Sequence, residues 1–384
     1  MTGIERSAFA VLTPPGRGGI AVIRCSGPDA RRVLRACFRP TTDGAGLPPV
    51  GGLAYGHIDD ADGRPLDEVI LCRAAGAACE VNCHGGPAAV AAVCAALSAL
   101  GLAQVDADAL LEIEGAGPVQ RDARRLLRRA TTPLAARILL DQLGGALGAA
   151  IERVCGHLAA RRSEAAADEL GRLLNRWQYC GRFLADPPRI VIAGRPNVGK
   201  STLLNRLVGA ERAITSGEPG TTRDYVEADA ALVGLPVVLV DTAGLREARG
   251  VIERLGVERA REQAAGAALL LYLLDATEGA TDDDETALAR FDDRTLAVWN
   301  KADAAAGPFG APGAMAVSSL TGAGIEGLSE AILARLGYRA PEPGEAVPFT
   351  CDQAAGLARG RRFAGDGRLE DARRALAPLT NVRG

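Results

Sequence analysis

The octapeptide Gly194-Arg195-Pro196-Asn197-Val198-Gly199-Lys200-Ser201 constrains this chain more than any other feature. It has the form GxxxxGK[ST]. It also sits between the apolar run Arg189 to Ala193 and the helix-compatible stretch Thr202 to Leu207, the strand–loop–helix setting in which that pattern binds phosphate. The glycines let successive backbone N–H groups wrap phosphate oxygens at a helix N-terminus. Lys200 supplies a compact charge that reaches the β- and γ-phosphates, where the bulkier guanidinium fork of arginine would not fit. Ser201 offers its hydroxyl to magnesium. Composition sharpens the reading: of 44 basic residues, only Lys200 and Lys301 are lysines. A chain that takes arginine almost everywhere departs from it at two positions that ask for something arginine cannot supply.

Around the loop, the apolar runs Arg189 to Ala193, Pro236 to Val240, Ala268 to Leu274, Leu296 to Trp299 and Ala314 to Val317 are separated by helix-compatible segments. That order predicts a mostly parallel sheet with helices on both faces, with ligands at the carboxyl ends of its strands. All but one of these runs lead directly into a polar signature; the exception, Ala268 to Leu274, ends at Asp275. Asp241-Thr242-Ala243-Gly244 offers a carboxylate for a magnesium-bound water and a backbone amide for the γ-phosphate. Upstream, Gly220-Thr221-Thr222-Arg223-Asp224 places a threonine where it can complete the magnesium shell, so Ser201, Thr222 and Asp241 form the expected magnesium set. Asn300-Lys301-Ala302-Asp303 decides the base. The Asp303 carboxylate accepts from both N1–H and the exocyclic amine of guanine, a donor pair adenine does not present. Lys301 packs its stem over the base plane and Ser318-Ser319-Leu320 closes on it. The expected nucleotide contacts are therefore Gly194, Asn197, Val198, Gly199, Lys200, Ser201, Thr202, Thr221, Thr222, Asp241, Thr242, Ala243, Gly244, Asn300, Lys301, Asp303, Ser318, Ser319 and Leu320.

The rest of the chain is organised around this unit. Residues 1–117 mix short alternating runs such as Ile20-Ala21-Val22-Ile23 with turn-rich stretches, which predicts a small α+β domain. From 118 to 187 the pattern becomes helical, with Leu147, Ile151, Val154 and Leu158 at helical spacing, until Pro187-Pro188 ends it. The nucleotide unit spans 188–337. Pro341-Glu342-Pro343-Gly344 reads as a linker, and helical pieces broken at Gly365-Asp366-Gly367 complete the chain from 338 to 384. Hydrophobic residues make up 48% and no apolar run approaches the roughly 20 residues of a membrane span. The N-terminus shows no secretory signal, so the expected setting is cytoplasmic. Nine scattered cysteines read as reduced thiols. Cys79, Cys83 and His84 lie close together but lack the second cluster of a zinc site. A net charge of −3 excludes a protein that coats nucleic acid through bulk positive charge. Local RNA contact has candidates in Arg121, Arg124, Arg125, Arg128 and Arg129, or in Arg359, Arg361 and Arg362, each of which reads equally as a solvated basic helix face.

Beyond the nucleotide motifs, three runs resemble one family. They are Pro219-Gly220-Thr221-Thr222-Arg223-Asp224, then Asp241 to Glu247 (DTAGLRE), then Ile252-Glu253-Arg254-Leu255-Gly256-Val257-Glu258-Arg259-Ala260. They look like the MnmE (TrmE) tRNA-modifying GTPases. Ala10 to Pro28, with Gly16-Arg17-Gly18-Gly19, and Asn82-Cys83-His84-Gly85-Gly86-Pro87 are similar to that family's first domain, which separates the chain from the Der/Era type. The resemblance implies an N-terminal folate-binding and dimerising domain, with Arg24 and His84 as candidate folate contacts, although His84 reads equally as a turn histidine that satisfies backbone groups. It also implies a helical domain built from both sides of an inserted GTPase domain. Leu245 stands where Ras-like enzymes carry a water-orienting glutamine. The family uses a potassium ion and a glutamate instead, matched here by Asn197, Ser216, Glu218 and Thr221 for the ion and by Glu253, beside Lys200, as the catalytic group. Hydrolysis would then need paired domains in a homodimer.

The resemblance implies GTP and GDP as ligands and, if the chain modifies tRNA, MnmG (GidA) as partner and tRNA as substrate; the charge and the short apolar runs set the expectation of no DNA and no membrane. Departures set the alternatives. The family's terminal Cys-x-Gly-Lys is replaced by Asn381-Val382-Arg383-Gly384, and the loop before His84 reads Ala74-Ala75-Gly76-Ala77-Ala78-Cys79. Both helical segments look short for the family. The expectation is a GTPase of tRNA wobble-uridine modification. Its rivals are a divergent paralogue acting as a potassium-dependent regulatory GTPase without modification chemistry, and a ribosome-assembly GTPase of the Der/Era class.

Overall fold

In a computed structural model of the chain, the described residues are 6–16, 18–41, 46–74, 76, 78–210, 226–241, 266–289, 293–305 and 315–380. The chain divides into two compact units, residues 1–121 and 122–384.

The first unit is α+β. Strands β1 (Ala8–Val11), β2 (Ile20–Ser26), β3 (Phe38–Pro40), β4 (Leu53–Asp59), β5 (Pro65–Arg73), β6 (Cys79–His84) and β7 (Ala103–Gln104) form a sheet of order β3-β4-β5-β6-β2-β1-β7. Its pairs are antiparallel except β1 with β7. Alternate residues Ile23, Val81 and Leu71 turn to one face, where Val33 and Leu34 of helix Ala30–Cys37 and Val93 and Leu97 of helix Pro87–Ala99 close a core around Phe9. On the other face, Leu110 of helix Ala107–Ile113 covers Ala8 and Ala10.

The second unit carries the sheet read from the apolar runs. Strands β8 (Arg189–Gly194), β9 (Val226–Leu232), β10 (Leu235–Asp241), β11 (Leu269–Asp275), β12 (Thr295–Asn300) and β13 (Met315–Ala316) take the order β13-β12-β11-β8-β10-β9. Every residue of β11 is buried, as expected of a strand covered on both faces. One face packs against helices Lys200–Ala210 and Ile325–Leu336 and the other against helix Asp282–Leu288. β9 has no counterpart among the apolar runs, because Glu227 and Asp229 interrupt it. It is an edge strand, antiparallel to β10. Its hairpin turn is Val233-Gly234, with φ of 49° and 81°, the double positive φ that a two-residue hairpin loop requires.

Helices Pro133–Leu143, Ala146–Ala159, Ser163–Arg176 and Arg182–Ala185 precede the sheet, and Cys351–Gly365 and Leu369–Leu376 follow it. The two groups pack together. Gly360 admits Leu376 and Leu170, since a Cβ there would lie 3.1 Å and 3.6 Å from their side chains. Gln142, fully buried, donates to the Glu345 carbonyl at 3.0 Å and accepts from the Val347 amide at 3.1 Å, fixing the segment that returns the chain to the bundle. Among the described residues no single helix is long and apolar enough to cross a membrane.

Candidate nucleotide site

After β8 the chain goes by way of β9 to β10 on one side and then to β11 on the other, so strand order reverses at β8. The carboxyl end of β8 is thus the crevice where such sheets hold ligands, and the loop Gly194 to Lys200 lies there.

Backbone conformation explains the spacing of the motif. Gly194, Asn197 and Gly199 all have positive φ, at 143°, 63° and 94°. At Gly199 a Cβ would come within 2.3 Å of Asn300 Nδ2, so both conformation and space require glycine. Lys200, 8% exposed, sends Nζ back across the loop to the carbonyls of Gly194 and Arg195 at 2.9 and 2.8 Å. Ser201 Oγ donates to Asp241 Oδ2 at 2.6 Å, joining the helix start to the end of β10. These two hard oxygen donors meet where a magnesium ion would be held, and their chemistry fits that ion. Val198 is buried and Asn197 exposed.

At the base end the structure redistributes the roles. Asn300, 1% exposed, donates to the Val198 carbonyl at 2.8 Å and accepts from the amide and hydroxyl of Ser319 at 3.0 and 2.8 Å. Its side chain staples the phosphate loop to the loop Ser318-Ser319-Leu320. Lys301, at φ 63°, reaches Asp275 Oδ2 at 2.5 Å. Burial pushes the Asp275 carboxyl up, but hydrogen bonds from Lys301 and from the Thr277 hydroxyl and amide outweigh it and hold the group below its ordinary range. Asp303 is exposed on a one-turn 3₁₀ segment, Ala302–Ala304, anchored by Ala302 N to the Val317 carbonyl at 3.1 Å. Arg206 of helix Lys200–Ala210 donates to the carbonyls of Ser319, at 3.0 Å, and Leu320. Sequence reasoning missed Asp275, Thr277 and Arg206. The signal for Asp275 was present, a carboxylate ending the one strand without a motif; Arg206 had none, being one arginine among many. Thr202 is exposed on the first turn of its helix. Ser216, Glu218, Thr221, Thr222, Thr242, Ala243, Gly244 and Glu253 lie outside the described residues.

In the first unit, Arg24 and His84 are not brought together. In the β2/β6 ladder Arg24 faces Glu80 while His84 faces Ile20, about 13 Å along the strand. Arg24 bonds Glu114 at 2.6 and 3.2 Å and Glu80 at 2.8 Å, two carboxylates within the same unit. Strand alternation also separates Cys79 and Cys83, buried on the core face, from exposed His84; burial raises the Cys83 thiol to about 11. His84 instead pairs with Asp67, Nδ1 to Oδ1 at 2.7 Å, and the hydrogen bond holds the imidazole above its ordinary value of 6.5. A raised folded-state value means the pair stabilises fully below pH 6.5 and the contribution is lost as pH rises through the raised value. Asp67→Asn is expected to return the His84 midpoint, followed by NMR, toward 6.5; an unmoved midpoint would remove Asp67 as the cause.

Loop, strand order and end-of-strand carboxylates together define a P-loop GTPase domain. Comparison with known proteins carries this further. The family model described as 50S ribosome-binding GTPase matches residues 189–301, and that described as GTP-binding protein TrmE N-terminus matches residues 7–107. The tRNA modification GTPase MnmE of Chloroflexus aurantiacus is 37% identical over 328 residues, covering 77% of this chain and 72% of that protein. The MnmE of Roseiflexus castenholzii is 34% identical over 427 residues, covering 96% and 90%. Among solved structures, a variant of Aquifex aeolicus Era bound to GDP and AlF4⁻ is 27% identical over 46% of this chain and 66% of that one, with a TM-score of 0.31. The chain belongs to the MnmE family of tRNA modification GTPases.

Proposed function

We propose that this protein hydrolyses GTP with magnesium and, together with MnmG, serves modification of the tRNA wobble uridine. The observation that carries the reading is the coincidence of an assembled phosphate loop, stapled through Asn300 to the loop Ser318-Ser319-Leu320, with a TrmE-type N-terminal segment at 7–107 in the same chain. The first is common to many GTPases; the second, with the MnmE relatives, supports a role in tRNA modification. We place the N-terminal domain at 1–117, the GTPase domain at 188–337 and the helical domain at 118–187 plus 338–384.

In the proposed site, Lys200 and the loop amides bind the β- and γ-phosphates, Ser201 and Thr222 coordinate magnesium, and Asp241 holds one of its waters. Magnesium supplies neutralisation of the phosphate charge. Asp303 reads the base, Lys301 covers it and Glu253 orients water. Asn197, Ser216, Glu218 and Thr221 form the proposed potassium set, and the homodimer brings two such domains together. Folate is left out of this reading, because Arg24 is taken by two carboxylates.

The test is the modified wobble-uridine content of tRNA, by mass spectrometry, with and without the gene. Loss on deletion, restored by the wild-type gene, is expected. Unchanged tRNA, with no second family member present, would favour the regulatory GTPase instead.

A further inference from the structure

From the end of β11 into helix Asp282–Leu288 the chain carries the carboxylates Asp275, Glu278 and Asp284, which reach both ends of the candidate nucleotide site. Asp275 grips Lys301. Farther on, Arg195, the second residue of the phosphate loop, is held at three points: Nε lies 2.9 Å from Asp284 Oδ2, one terminal nitrogen 3.2 Å from Glu278 Oε2, and the other donates to the Gly279 carbonyl at 3.4 Å. The Nε–H is not aligned on the Asp284 oxygen, so that contact is an ion pair rather than a straight hydrogen bond.

Asp284 is fully buried. Its carboxylate accepts from the Tyr272 hydroxyl at 3.0 Å and from the Thr281 amide and hydroxyl at 3.0 and 2.9 Å. The Thr281 contacts belong to a capping box, which a carboxylate can complete at the surface. Complete burial of the charge is costly and needs its pairing with Arg195. On the other side of Arg195, its carbonyl accepts from Lys200 Nζ. A chain of contacts therefore runs from Asp284 through the Arg195 side chain and backbone to the ammonium of Lys200, the proposed phosphate-binding group.

We infer that Asp284 is a positioning residue for the phosphate loop, acting through Arg195 to set Lys200, and that Arg195 is a structural strut rather than a phosphate ligand. The inference rests on the nucleotide site as read above. It implies that helix Asp282–Leu288 and the phosphate loop move as one body, with the base-end lysine tied to the same stretch.

The test is a double-mutant cycle read by fluorescent GDP affinity in the full-length protein, with melting temperature recorded alongside. Asp284→Asn and Arg195→Gln are each expected to weaken binding roughly tenfold, and the double variant no further, because both cut the same link. Tyr272→Phe removes a bond to the same carboxylate while leaving the Asp284 charge and Arg195 in place; it is expected to lower the melting temperature and leave affinity unchanged. Additive losses in the double variant, or a Tyr272→Phe loss equal to that of Asp284→Asn, would overturn the inference while leaving the nucleotide site intact. A wild-type protein that does not bind the probe would overturn both.

Discussion

Asp303→Asn is expected to lower GTP affinity by roughly 10⁴-fold while creating a preference for xanthosine triphosphate. The carboxylate accepts two hydrogen bonds from guanine, N1–H and the exocyclic amine. An amide in its place keeps one acceptor but presents N–H where the amine also presents N–H, so two donors oppose each other once the bound base covers them. Xanthine carries a carbonyl in place of that amine and restores the match. The surroundings favour a clean exchange. The 3₁₀ turn is anchored by backbone bonds from Ala302 and Ala304, and the Asp303 side chain is exposed. Hydrolysis of both nucleotides, measured for wild type and variant, checks the prediction. A variant that still prefers GTP would remove Asp303 as the reader of the base.

The sheet and the phosphate loop were legible because each is a local pattern. A strand covered on both faces must be apolar through its middle, as Ile190 to Ala193 of β8 and Leu269 to Leu274 of β11 are, and a loop that wraps phosphate favours glycine where φ is positive, as at Gly194 and Gly199. What the sequence concealed is of a different kind. β9 is an edge strand interrupted by acidic residues, so its pattern carries no continuous apolar signal. Asn300 belongs to the motif read for the base, but a residue's spacing does not show which neighbours its side chain will reach; in three dimensions it bonds Val198 and Ser319. Arg24 was likewise undecidable, since its partners Glu80 and Glu114 lie far along the chain and meet it only when β6 pairs with β2 and the helix ending at Ile113 turns back over the sheet. Motif reading finds the residues that chemistry needs. It does not find the ones that hold them, such as Asp275 behind Lys301 and Arg206 behind the Ser319 loop.

Lys200→Ala carries the other large expected effect, a fall in kcat/KM for GTP of about 10³-fold or more, or about 4 kcal/mol in transition-state stabilisation. Two losses combine. The γ-phosphate transfer spreads negative charge over oxygens that a buried ammonium would meet, and in a site of low dielectric that charge is hard to replace. The carbonyls of Gly194 and Arg195, bonded to Nζ at 2.9 and 2.8 Å, also lose the donor that closes the loop, at about 1–3 kcal/mol if they stay buried. Lys200→Arg separates charge from shape. Its charge is conserved, yet at this buried position the planar fork cannot place a single point donor between the two carbonyls. Activity is therefore expected to fall nearly as far as in the alanine variant, while the melting temperature stays closer to that of the wild type. Single-turnover GTP hydrolysis with thermal melting of both variants checks this. An arginine variant whose activity stays close to wild type would show that charge alone suffices, and the argument from the chain's two lysines would fail at this position.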